Sequence, residues 1–212
     1  MTAADFLPER RTLPSLREAV QGCRGCPLYE RATQAVFGEG RPRVRAMMVG
    51  EQPGDEEDLA GHPFVGPAGR LLDQMMEAAA LPRDQIYVTN AVKHFKWKPR
   101  GKRRMHEKPS ASEVDACRPW LEAELAAVEP EVLILLGATA AQALLGRKFR
   151  VTRSRGQLFE SPFAPRTLAT VHPSSLLRMP DPDARRAARE EFIRELALVA
   201  SALSAPGAAA RR

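Results

Sequence analysis

Residues 132–146 read VLILLGATAAQALLG. Five consecutive strand-forming apolar residues, Val132 to Leu136, run without a spacer into Gly137-Ala138-Thr139, and the Ala/Leu run 138–145 stops at Gly146. An apolar run of that length bounded by glycine reads as a strand buried on both faces. Glycine just past an apolar helix is a common stop. Three other runs, 46–49, 86–89 and 168–171, have the same strand character. Helical patterns separate them. After Pro67, Leu71, Leu72, Met75, Met76 and Ala79 share one face. Ser110 and Glu113 have capping-box spacing ahead of a helix in which Pro119 predicts a kink. A long helix is predicted over 183–203. Strands alternating with helices predict an α/β fold: a central, mostly parallel four-stranded sheet with helices on both faces. One domain over residues 1–204 accounts for the pattern, with 205–212 expected as a flexible tail.

The composition agrees. At 212 residues, 44% hydrophobic and 27% charged, the chain can bury a sizeable core, which excludes a wholly disordered chain. Aromatic residues are only 6%, so that core is expected to be mostly Ala, Leu and Val. The charge is concentrated. Residues 96–108 (KWKPRGKRRMHEK) carry seven basic residues against one acid, which equals the whole formal net charge of +6. Pro99 and Gly101 break any helix there, and Trp97 and Met105 interrupt the charge. Phosphate contact is the favoured reading over a merely solvated run. The N-terminus, MTAADFLPERRTLPSL, has no export signal, and no stretch approaches the ~20 apolar residues of a spanning helix. An odd number of cysteines, three, argues for a reducing compartment. A cytoplasmic monomer with no membrane partner is expected.

The residues just past the strands carry the functional signal. GEQPG (50–54) comes after 46–49, Asn90 after 86–89, Gly137-Ala-Thr after Leu136, and His172-Pro-Ser-Ser after 168–171. Open α/β sheets place their ligand crevice at such strand ends. Glu51 there can act as a base, orient a water, or only cap the next turn. Phe64, in the Gly/Pro loop HPFVG, reads as a stacking platform, whereas His62 reads as incidental. Cys23-Arg-Gly-Cys26 can chelate a metal or form a redox pair; its position after a helical stretch favours the metal. Cys117 is then a third donor or a small buried hydrophobe, and His94 is the nearest fourth donor.

Taken in order, these motifs resemble the uracil-DNA glycosylase superfamily over residues 23 to about 196, in its iron–sulfur family 4 branch. GEQPG resembles that branch's first motif, PFVGPAGRLLD its uracil-stacking segment, TNAVK its base-reading strand end, and HPSSLLR its second catalytic motif. Gln52 in place of the usual alanine, and the loop KRRMH (102–106), are similar to the UdgX group, whose members become covalently joined to uracil-containing DNA. Met105 departs mildly from the isoleucine common there. The resemblance implies a four-iron, four-sulfur cluster on Cys23, Cys26, His94 and Cys117, with His94 where a cysteine usually stands; zinc is the chemical runner-up. It implies uracil contacts from Gln52, Gly54, Asp55, Phe64, Asn90 and His172, and DNA contacts from Lys102, Arg103, Arg104, Ser174, Leu176 and Arg178. Leu176 and Leu177 are expected either to wedge into the gap left by an extruded nucleotide or to pack in the core.

The chemistry expected is base extrusion and then cleavage of the glycosidic bond. Phe64 stacks the base, Asn90 reads its edge, and a neutral His172 donates to the oxygen that gains charge. Glu51 and His106 complete the catalytic set with His172. His106 is the expected nucleophile toward the sugar, kept neutral by its basic neighbours. The expected outcome is a single-turnover, covalently trapped product. Ordinary release of uracil and an abasic site is the alternative, and a non-catalytic iron–sulfur DNA-binding module is the alternative of another class.

Overall fold

A computed structural model describes residues 2–41 and 43–204, so the expected tail at 205–212 lies outside the described residues. The main sheet has five strands in the order β2-β1-β5-β7-β6. They are β1 (Ala46–Gly50), β2 (Ile86–Asn90), β5 (Val132–Leu136), β6 (Leu158–Ser161) and β7 (Ala164–Thr170). The first four in spatial order are parallel, with Val49 opposite Thr89 and Leu135 opposite Ala169. The expected count of four was one short. β6 is the added edge strand, antiparallel to β7. Its residues are only partly buried, so it lacks the unbroken apolar run that marked the others.

Alternating side chains of the buried strands build two cores. Met47, Val49, Leu133 and Leu135 pack with Leu16 of α1 (Leu13–Ala19), Trp120 and Leu121 of α4 (Ala111–Val128), and Ala140 and Leu144 of α5 (Gly137–Leu145). Met48, Val88, Ile134 and Leu168 pack with Leu72 and Met76 of α3 (Pro67–Ala78) and Phe192, Leu196 and Val199 of α8 (Pro182–Ser204). Period-two strands between period-3.6 helices therefore cover both faces of the sheet. The capping box on α4 forms as its spacing implied, Ser110 and Glu113 each accepting the other's backbone N–H. Its 18 residues continue through Pro119 as one helix.

Two features place the site. β1 pairs with β2 on one side and β5 on the other, so the chain reverses its order between β1 and β5. Their carboxyl ends form the topological switch point. The basic run is not an irregular loop but a two-stranded antiparallel ribbon, β3 (Trp97–Arg100) and β4 (Arg103–His106), with Trp97 opposite His106. Gly101 turns the ribbon at φ +60°. The remaining helices are short: α2 (Asp55–Ala60), α6 (Val151–Ser154) and α7 (Pro173–Leu177).

Candidate active site

Gly50 ends β1 where two other groups converge. A Cβ there would fall 2.4 Å from Asn90 Oδ1 and 2.7 Å from Phe64 Cζ, so only glycine admits both. Phe64 is held at φ +60°, a left-handed conformation that costs a non-glycine residue about 1–2 kcal/mol. Its buried ring faces His172, with centroids 6.3 Å apart and planes inclined by 26°. Phe64 is thus part of the α3-side core as well as a wall of the crevice.

His172 caps α7. Its Nδ1 accepts from the Ser174 backbone N–H at 3.2 Å, with Ser174 Oγ 2.9 Å away. Accepting there fixes the neutral tautomer with its proton on Nε2, free to donate into the crevice. Burial, then Arg178 and His106, push its pKa down to about 4. Ser174, expected at DNA, serves here to orient the imidazole.

Glu51 lies at the switch point. One carboxylate oxygen accepts from Thr139 Oγ1 in the first turn of α5, and the other is 3.4 Å from His106 Nε2 at the end of the ribbon. The His106 side chain is 49% exposed, and its ring lies 6.2 Å from Phe95. Its pKa is lowered by burial and Arg178, which outweigh the Glu51 carboxylate acting the other way. The bias toward neutrality expected from the loop's own cations therefore comes from the packed side of the ring and from Arg178, six residues beyond His172.

Three expected uracil contacts are otherwise engaged. Gln52 turns to the root of the ribbon: its amide donates to Lys96 O and Glu107 O, both at 3.1 Å, and its carbonyl accepts from Lys96 N at 3.2 Å. The Gly54 N–H donates to Glu57 Oε2 at 3.1 Å. The Asp55 carboxylate pairs with Arg104 Nε at 2.5 Å. Arg104, expected to face DNA, is an internal strut that also binds Asp58 Oδ2 at 2.6 Å and lies over the Phe95 and Trp97 rings. It holds the ribbon on α2 because Asp58 is fully buried and needs a cation. Leu176 is 1% exposed and belongs to the core, while its neighbour Leu177 is 39% exposed. Lys102 and Arg103 lie exposed beside the turn of the ribbon, and Arg178 is exposed at the end of α7. His62, expected to be incidental, meets Glu39 at 2.5 Å.

Sequence reasoning missed Glu57 and Asp58, and gave Thr139 no role of its own. Glu57 also accepts from Gly66 N at 2.9 Å, so it ties the GEQPG turn to the Phe64 loop. Its spacing of three from Gly54 was a capping signal. Thr139 stood among the strand-end residues of the sequence signal, but its pairing with Glu51, 88 positions away, had no local mark.

Of the proposed metal ligands, the three cysteines lie near one another. Cys23 and Cys117 are buried and Cys26 partly so. Cys23 Sγ accepts from Trp120 Nε1 at 3.2 Å, and Cys117 Sγ from Lys93 N at 3.3 Å. Burial pushes the Cys117 thiol up to about 12, with Cys26 and Cys23 close enough to add to the shift. His94 is buried and its pKa falls to about 4. Among the described residues, no three His, Cys, Asp or Glu side chains converge around a single ion. N–H donors aimed at sulfur are what thiolate ligands use, so the donor chemistry suits a sulfur-rich group.

A family model for the uracil DNA glycosylase superfamily matches residues 37–197. The chain belongs to that superfamily. Within it, the chain is 36% identical over 197 residues to the type-4 uracil-DNA glycosylase of Sulfurisphaera tokodaii, covering 88% of this chain and 86% of the relative. It is 37% identical to the type-4 enzyme of Thermotoga maritima, covering 82% and 88%. It is 31% identical to a type-5 uracil-DNA glycosylase of Thermus thermophilus, covering 82% and 84%. The type-4 resemblance extends over most of the chain. Among the described residues, no helix is long and apolar enough to cross a membrane.

Proposed function

We propose that this protein excises uracil from DNA and becomes covalently attached, through His106, to C1′ of the resulting sugar. The observation that carries the reading is the meeting of His106 Nε2 with Glu51 Oε1 at 3.4 Å, beside the crevice formed by Phe64, Asn90 and His172. An extruded uracil stacks on Phe64 and offers its edge to the Asn90 amide. As the bond from C1′ to the base breaks, its electron pair leaves with uracil, and the His172 Nε2–H stabilises the oxygen that gains charge. The Glu51 carboxylate faces the cationic sugar. An imidazole lone pair of His106 then bonds C1′, the imidazole proton passes by way of Glu51 to solvent, and uracil departs after taking up a proton. Thr139 keeps one carboxylate oxygen engaged so that the other meets His106.

Lys102 and Arg103 at the ribbon turn suit phosphate contact, and Leu177 is an exposed apolar side chain at the far end of α7, the helix that His172 caps. Cys23, Cys26, Cys117 and His94 are the residues that would hold an iron–sulfur cluster. Its contribution would be mechanical, joining the N-terminal segment to α4 and the loop before the ribbon. Iron and acid-labile sulfide in protein purified without oxygen test this assignment; iron-free, colourless protein counts against it.

A denaturing gel after incubation with a uracil-containing oligonucleotide tests the main reading. A retarded band stable to heat and detergent is expected, and His106→Ser should replace it with alkali-sensitive DNA. Persistence of the band in that variant removes His106 as the nucleophile. A second reading, ordinary release of uracil and a free abasic site, is favoured by the exposed half of the His106 ring, which leaves water a path. Alkali-sensitive DNA without any retarded band supports it.

A further inference from the structure

Behind the crevice lies an ion pair with no role in the chemistry above. The side chains of Lys93 and Glu124 are both fully buried and bonded to each other. Lys93 Nζ also donates to Thr89 Oγ1 at 2.7 Å and to the main-chain oxygen of Asn90 at 2.8 Å, so all three ammonium protons are used. The Glu124 carboxylate accepts in addition from Gly38 N at 3.0 Å, Tyr87 Oη at 2.8 Å and Thr89 Oγ1 at 2.9 Å. Burial, with Glu124 adding to it, pushes the Tyr87 phenol upward, which keeps it a donor. The pair thereby connects α4, β2 and the segment leading into β1 to one carbonyl, that of Asn90.

Stability does not account for this arrangement. A buried ion pair is often matched or bettered by well-packed apolar residues of similar volume, because both charges must leave water. Its placement does. Asn90 is the last residue of β2, and the chain beyond it is irregular until the ribbon. Ala91 N and Val92 N reach across to Gly50 O and Glu51 O at 2.9 and 3.0 Å, which fixes the chain after Asn90 against β1. Lys93 Nζ fixes the carbonyl of Asn90 itself.

We propose that Lys93 and Glu124 are positioning residues for uracil recognition, holding the Asn90 main chain so that its carboxamide meets the base edge. The inference rests on the uracil-excising function proposed above. Small displacements of a positioning group are costly, and a buried recognition amide left unpaired is costly too.

The test uses the full-length protein with the paired substitutions Lys93→Met and Glu124→Gln, which remove both charges while keeping volume. Free uracil is titrated as an inhibitor, and binding to an abasic-site oligonucleotide is measured alongside. The inhibition constant for uracil is expected to rise at least tenfold, with affinity for abasic DNA and cooperative melting retained. Should the pair fail to fold, Thr89→Val removes one bridging hydroxyl and should raise the uracil inhibition constant several-fold. Unchanged inhibition in a folded variant overturns the proposal, as does a parallel loss of both affinities, which marks a merely structural role. A wild-type protein that neither excises nor binds uracil removes the underlying function instead, and this inference with it.

Discussion

Replacing Gln52 by alanine separates the base pocket from the ribbon. The side chain makes three hydrogen bonds of 3.1–3.2 Å to the main chain at the two ends of the ribbon, and none of them is to the crevice. Each such bond contributes about 1 kcal/mol net, so the variant loses about 3 kcal/mol of ribbon docking. That corresponds to roughly a 150-fold fall in the ratio of docked to undocked ribbon. The Arg104 ion pairs to Asp55 and Asp58 remain, so the ribbon stays folded but its root loosens. His106 adjoins Glu107, one of the two carbonyl partners, and so feels the loss directly. Under single-turnover conditions, adduct formation should slow by up to about 100-fold while uracil release changes by less than about threefold. Both are read from one reaction, the adduct on a denaturing gel and the excised sites by alkaline cleavage. Weaker uracil affinity with adduct formation unchanged would restore Gln52 to the base pocket and refute the argument.

Arg104→Ala leaves the fully buried Asp58 without its cation and should cost about 3–5 kcal/mol. Trypsin should then cut after Lys102 or Arg103 much faster than in the parent, with the adduct lost. The proposed attack on C1′ requires neutral His106, whose pKa is lowered. The rate should therefore be flat through neutral pH and fall as pH drops through a midpoint below 6.5, the ordinary value. Arg178→Gln removes a lowering influence, so that midpoint should move up, as pH–rate profiles will show. Leu176→Ala opens a core cavity and should cost about 2–5 kcal/mol in thermal unfolding. Leu177→Ala should leave Tm unchanged and instead reduce excision from duplex DNA several-fold relative to single-stranded DNA.

The strands announced themselves because burial on both faces demands unbroken apolar runs, as at Val132–Leu136. β6 did not, since an edge strand half open to water carries Phe159 and Glu160 alike. The crevice residues were legible for a related reason. Glycine, proline and asparagine are ordinary turn residues, so the signal lay in Glu51 and His172 beside them at successive strand ends and in the family motifs. What escaped were the side chains that hold those residues in place. Gln52 and Arg104 lie in motifs that point to ligands, yet their partners are main-chain and carboxylate groups on segments distant in sequence. Thr139, Glu124 and Lys93 are likewise bound to residues far along the chain or deep in the interior, a relation that local spacing does not encode.

The ribbon enters and leaves the body at one place, between Lys96 and Glu107, whose main chains are bonded to each other at 3.0 Å. It behaves as a tongue with a single root, held down along its length by Arg104, on which the buried Asp58 of the body depends. A change in the length or turn of this appendage would therefore act first on where His106 and the exposed cations Lys102 and Arg103 sit, and would reach α2 through Arg104.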